Sequence, residues 1–121
     1  MIGIDLVEHK DIINKEDKFI RKILSNLEYE IYSNIKSKKR QIEYAASRFA
    51  SKEALFKAYK IYPEHISFQD ISILNDPITK APYVKCDKLN DNIEISLTHT
   101  DNYSVAIVLV HIHDSVVVSN K

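Results

Sequence analysis

Glu53 stands where a carboxylate is costly. Around the stretch Arg48-Phe-Ala-Ser-Lys-Glu-Ala-Leu-Phe-Lys-Ala58, helical spacing of about 100° per residue puts Ile42, Ala45, Ala46, Phe49 and Phe56 on one stripe. By the same arithmetic Glu53 falls inside that stripe, roughly 40° round from Phe49. An anion on an apolar face must be neutralised. The candidates are Lys57, one helical turn on, a metal ion, or a bound cationic group. A plain Glu53–Lys57 pair on a partly solvated helix edge is the structural alternative. Asp5 and His99 are two further polar residues set in otherwise apolar elements. Two carboxylates on rigid scaffolding suit magnesium, which prefers oxygen ligands and completes its shell with waters and substrate phosphates. Glu8 and Glu43 compete for that role on spacing alone.

The elements that must carry these residues follow from periodicity. Residues 1–8 alternate as a strand, with Ile2, Ile4 and Leu6 on one face and Asp5 on the other between Gly3 and Val7. Phe19, Ile20, Ile23, Leu24, Leu27 and Ile31 recur at three and four, predicting one amphipathic helix from Asp17 to about Ser33. A polar segment, 33–39, precedes a long alanine-rich helix from about Arg40 to Tyr59. Strands are expected at Ile71–Leu74, more weakly at Pro82–Cys86, and at Ile93–His99 and Tyr103–Ile112. The last two form a hairpin through the turn at Thr100-Asp-Asn102. A strand, helices and then a run of strands is an α+β order. The 121 residues fit a single domain, 1–121, with the tail after about residue 113 expected to fray.

Composition narrows the chemistry. The 45% hydrophobic and 28% charged content is ordinary for a globular protein. Net charge is zero, so no nucleic-acid signature covers the whole molecule. No apolar run approaches a membrane span, and no signal peptide precedes the first strand; a cytoplasmic protein is expected. The one cysteine, Cys86, excludes an intramolecular disulfide and a cysteine-based zinc cluster. His111 and His113 share a strand face but lack an evident third zinc ligand. With Gly3 the only glycine, no glycine-rich phosphate loop exists, so a phosphate must be held by side chains, a metal or helix N-termini. Positive charge gathers locally at Lys15, Lys18, Arg21 and Lys22, and again at Lys36, Lys38, Lys39 and Arg40.

Four segments in order and spacing carry a family resemblance: Gly3-Ile-Asp-Leu6, the Arg48–Ala58 core, Ser67-Phe-Gln-Asp-Ile-Ser-Ile73 and Ser96-Leu-Thr-His-Thr100. Over roughly residues 1–112 the chain resembles the holo-[acyl-carrier-protein] synthases, the small bacterial class of 4′-phosphopantetheinyl transferases. The resemblance implies transfer of the 4′-phosphopantetheine arm of coenzyme A to a serine of an acyl carrier protein, releasing adenosine 3′,5′-bisphosphate. It implies magnesium on Asp5 and Glu53, with Lys57 and His99 completing the catalytic set. Arg48, Lys57, His99 and Thr100 match coenzyme-contacting positions. It also implies a compact homotrimer, an antiparallel sheet with packed helices and sites between subunits, serving fatty-acid synthesis. The chain departs from the family pattern at 59–65, where a glycine-rich turn is usual. It departs again at Lys80-Ala-Pro-Tyr83, where Gly-Lys-Pro-Tyr is usual, and at Asp11, where a basic residue is common. Two other readings stand beside this one: a different magnesium-dependent phosphate-transfer or hydrolysis enzyme on the same scaffold, and a coenzyme- or carrier-binding module without catalysis.

Overall fold

The computed structural model describes residues 1–59 and 65–111. The chain runs β1 (Ile2–Glu8), α1 (His9–Ile13), α2 (Asp17–Ile23), α3 (Asn26–Asn34) and α4 (Lys38–Ala58). A 3-10 turn (Phe68–Asp70) then leads to β2 (Ser72–Asn75), β3 (Pro82–Lys85), β4 (Asn92–His99) and β5 (Tyr103–His111). Strands β1, β5 and β4 make an antiparallel sheet in the order β1-β5-β4, and β2 and β3 form a separate antiparallel pair. The expected α+β arrangement, the β4–β5 hairpin and the long α4 are all present. The expected fraying after residue 113, His113 itself and most of the variant loop at 59–65 lie outside the described residues.

Two expectations are corrected. The helix predicted from Asp17 to Ser33 is two helices, because Leu24 is extended and Ser25 starts a new one. The Ser25 hydroxyl accepts the Glu28 amide while the Glu28 carboxylate accepts the Ser25 amide, a reciprocal cap on α3. The apolar period runs through the break, which is why periodicity alone reads one helix.

The stripe assigned to α4 also shifts. Its fully buried residues are Ala45, Ala46, Ala50, Ala54 and Ala58, together with Ser51, Lys52 and Leu55; Phe49, Phe56 and Glu53 are only half-buried. Small side chains let the helix lie close on the sheet. The closest approach is at Gly3, where an added Cβ would run into the Ala54 carbonyl and stand 2.7 Å from the Ala58 nitrogen. Both obstacles are backbone, so Gly3→Ala should destabilise by at least about 1–3 kcal/mol. Urea unfolding would show this as a lower midpoint at unchanged slope.

Asp5 and Val7 share the Gly3 face toward α4, whereas Ile2, Ile4 and Leu6 point away from it, 56–60% exposed. Register places Ile4 beside Ile107 and Ile2 beside Leu109, so the outer face of the sheet is an apolar surface. Among the departures from the family pattern, Lys80 has φ +67°, a left-handed conformation that favours glycine.

Candidate active site

Two clusters bring the expected residues together. In the first, β1 and α4 present Asp5, Glu53 and Lys57 to one another. Lys57 Nζ lies 2.8 Å from Asp5 Oδ1 and 3.3 Å from the Ile4 carbonyl. Glu53 has no such anchor. Burial, and then the Asp5 charge, hold its carboxyl above the usual carboxylate range, partly offset by Lys57. Two carboxylates within electrostatic reach of each other, one of them paired with Lys57, make a locally electronegative corner. Among the described residues no group of three or more His, Cys, Asp or Glu is placed to hold a metal ion. The donor set fits a hard cation that takes two carboxylates and draws its other ligands from water and phosphate.

The second cluster surrounds a cavity of about 260 Å³ between α4, β2 and the end of β4. Arg48 and His99 line it with Arg40, Glu43, Ser47 and Asn75. Arg48 is 94% buried by its 6% residual exposure, stacks over Tyr44 at 4.0 Å, and donates to the Ile73 carbonyl at 3.2 Å, Ser47 Oγ at 3.0 Å and Asn75 Oδ1 at 2.8 Å. All three acceptors are neutral. Its burial pulls the guanidinium's affinity for its proton down, yet arginine stays charged. Of the ionised side chains buried among the described residues, Arg48 and Lys52 are cationic and Glu28 alone is anionic. Glu28 pairs with Lys52, and the cavity wall sets two arginines, Arg40 and Arg48, against one carboxylate, Glu43, an arrangement suited to an anion.

His99 Nε2 stands 4.0 Å from Glu43 Oε1 at the cavity mouth. Thr100 is adjacent but does not line the cavity, and its hydroxyl accepts the amides of Asn102 and Tyr103, closing the hairpin turn. His111 pairs with Glu94 at 2.7 Å on the exposed sheet edge. The cavity lining includes none of Asp5, Glu53 and Lys57, so within one chain the two clusters are separate. Sequence reasoning missed the neutral cradle of Arg48 and the buried Glu28–Lys52 pair. Only the spacing Ser25-x-x-Glu28 hinted at either.

Sequence and fold belong to a known class. Residues 1–108 match the family described as the 4′-phosphopantetheinyl transferase superfamily. A holo-[acyl-carrier-protein] synthase of Onion yellows phytoplasma is 48% identical over 118 residues, covering 90% of this chain and 91% of that protein. The crystal structure of a Bacillus anthracis holo-(acyl-carrier-protein) synthase in complex with CoA (3′,5′-ADP) superposes with a TM-score of 0.80 at 34% identity, covering 90% of this chain and 93% of that one. The Helicobacter pylori synthase in complex with coenzyme A gives 0.74 at 28% identity, covering 92% and 100%. The chain belongs to the holo-[acyl-carrier-protein] synthase family of phosphopantetheinyl transferases.

Proposed function

We propose that the protein transfers the 4′-phosphopantetheine arm of coenzyme A to a serine of an apo acyl carrier protein, in the cytoplasm, in support of fatty-acid synthesis. The observation that carries this reading is Arg48: a buried cation with only neutral partners, in the wall of a cavity it shares with His99. In this reading Arg48 and His99 hold phosphate oxygens of the coenzyme, and Thr100 shapes the turn beside them. Asp5 and Glu53 would hold magnesium, which when bound supplies positive charge that stabilises the phosphates as charge builds on them. Lys57 releases Asp5 and donates to a phosphate oxygen. The serine oxygen bonds to the β-phosphorus, the bridging oxygen departs with adenosine 3′,5′-bisphosphate, and the serine proton passes to a base near the Asp5–Glu53 pair.

Separation of the two clusters supports a site shared between subunits. The apolar outer face formed by Ile2, Ile4, Leu6, Ile107 and Leu109 supports a homotrimer that covers it. Mixing the protein with apo carrier protein, coenzyme A and magnesium tests the activity. Mass spectrometry should find the phosphopantetheine adduct, and adenosine bisphosphate should appear only with carrier protein present. Release without it would mark a hydrolase; coenzyme binding with no adduct would mark a binding module.

Lys18, Arg21 and Lys22 of α2, with Lys15 before it, form the surface we assign to the acidic carrier protein. Arg21 is already engaged, 2.7 Å from Asp17 and 4.1 Å from the Tyr29 ring. Charge reversal at Lys18 or Lys22 should therefore raise the KM for carrier protein more than reversal at Arg21, leaving the KM for coenzyme A unchanged. Added salt should do the same, since exposed charges more than about 10 Å apart are largely screened at ~0.1 M ionic strength. Salt-independent kinetics would make the cluster mere surface.

A further inference from the structure

Glu28 of α3 and Lys52 of α4 are fully buried and have no part in the chemistry above. Lys52 Nζ donates to the Ile23 carbonyl at 2.7 Å, to the Phe68 carbonyl at 2.8 Å and to Glu28 Oε1 at 2.5 Å, which uses all three ammonium protons. Glu28 Oε1 also accepts the Ser25 amide, and Oε2 accepts the Ile73 amide at 2.7 Å. The carbonyl of that same Ile73 is the acceptor for Arg48 Nε.

We propose that the Glu28–Lys52 pair is a positioning device for Arg48, acting through Ile73 of β2. Lys52 holds one oxygen of Glu28, which fixes where the other points. That second oxygen grips the Ile73 amide, and the gripped residue sets the plane of the guanidinium against the cavity. Stability alone gives no reason for the arrangement, because well-packed apolar side chains often replace a buried ion pair without loss. Helix capping gives none either, because the cap needs only the Ser25 amide bond to Glu28 Oε1. Oε2 is free of the cap and is spent on β2. Two residues further along β2, Asn75 supplies another of Arg48's acceptors, so the placement of this strand decides two of the three bonds that orient the guanidinium.

The inference rests on Arg48 being a coenzyme contact, and the test separates the two. In Glu28→Gln, Lys52 keeps the amide oxygen, so an NH2 group confronts the Ile73 amide, donor against donor. Calorimetric titration should show coenzyme A and adenosine 3′,5′-bisphosphate binding about tenfold more weakly, as expected for a misplaced positioning group. The KM for carrier protein should hold. In an Arg48→Met background the same change should cost nothing further, because its effect passes through Arg48. The doubly neutral variant Glu28→Leu with Lys52→Met should recover thermal stability without recovering coenzyme affinity, and it carries the test if Glu28→Gln does not fold. Equal losses in both backgrounds, affinity recovered together with stability, or parental affinity in folded Glu28→Gln would each overturn the proposal. If Arg48→Met itself binds coenzyme like the parent, the reading of the cavity fails first and this role fails with it.

Discussion

Glu53→Gln should lose transfer activity by on the order of 10²–10³-fold or more, and at neutral pH it should melt at a higher temperature than the parent. The two effects have one origin. Burial and the Asp5 charge raise the Glu53 carboxyl, so the folded state binds that proton more tightly than the unfolded chain does. Stability is then lost as pH rises from the unfolded toward the folded value, and the full penalty remains above it. Glutamine carries no charge and escapes that penalty. The thermal advantage of Glu53→Gln should be complete at neutral pH, shrink as pH falls into the acid range, and vanish below the ordinary carboxylate value. Asp5→Asn, which removes the second cause of the shift, should also lose activity and should bring Glu53 part of the way back. Near-parental turnover of either variant at low magnesium would refute the metal assignment. A lower melting temperature for Glu53→Gln at every pH would refute the electrostatic account.

Subunit mixing should restore activity to two dead proteins. Asp5, Glu53 and Lys57 cluster in one place on the chain, and Arg48 and His99 line a cavity elsewhere. If each site takes its carboxylate half from one subunit and its coenzyme half from the next, Glu53→Gln and His99→Ala damage opposite halves. Refolded together, a His99 variant can lend an intact carboxylate half to a Glu53 variant neighbour whose coenzyme half is intact. Random mixing at equal amounts makes that arrangement at roughly one interface in four of a closed ring. Activity should return to about a quarter of the parent's, relative to parent protein refolded in parallel. A mixture as inactive as its components, beside a recovered parent, would place the whole site within one subunit.

Much of the architecture is legible because short-range patterns and tertiary packing agree. Strand β1, the β4–β5 hairpin and α4 all follow from period and turn residues, and Asp5, Glu53 and Lys57 meet as the family resemblance implies, where spacing alone left Glu8 and Glu43 in competition. Agreement fails where a polar residue is buried by something distant in sequence. Lys52 looks like any surface lysine of a helix; its three acceptors come from Ile23, Glu28 and Phe68, on three other segments. The direction of the first strand is a different failure. Ile2, Ile4 and Leu6 have the pattern of a core face, but the core lies on the Gly3 side, where the absence of a side chain admits α4. The break at Ser25 was readable from its capping residues, yet a continuous apolar period masked it.

The pairing of β1 with β5 has a consequence for how the protein comes into being. Ile2 is registered with Leu109, and the Met1 amino group donates to the Val110 carbonyl, so the first of the described strands closes on the last of them. A chain still being made can form its helices, whose contacts are local, but not this sheet. Lys57 of α4 can reach Asp5 earlier, but the backbone hydrogen bonds of β1 must wait for β5, beyond about the hundredth residue. Long-range antiparallel closure is also the slow kind, and an unpaired apolar strand is the part of an unfinished chain most exposed to wrong association. Closure of this sheet is therefore a late event, and the interval before β5 arrives is when the chain is most open to wrong pairing.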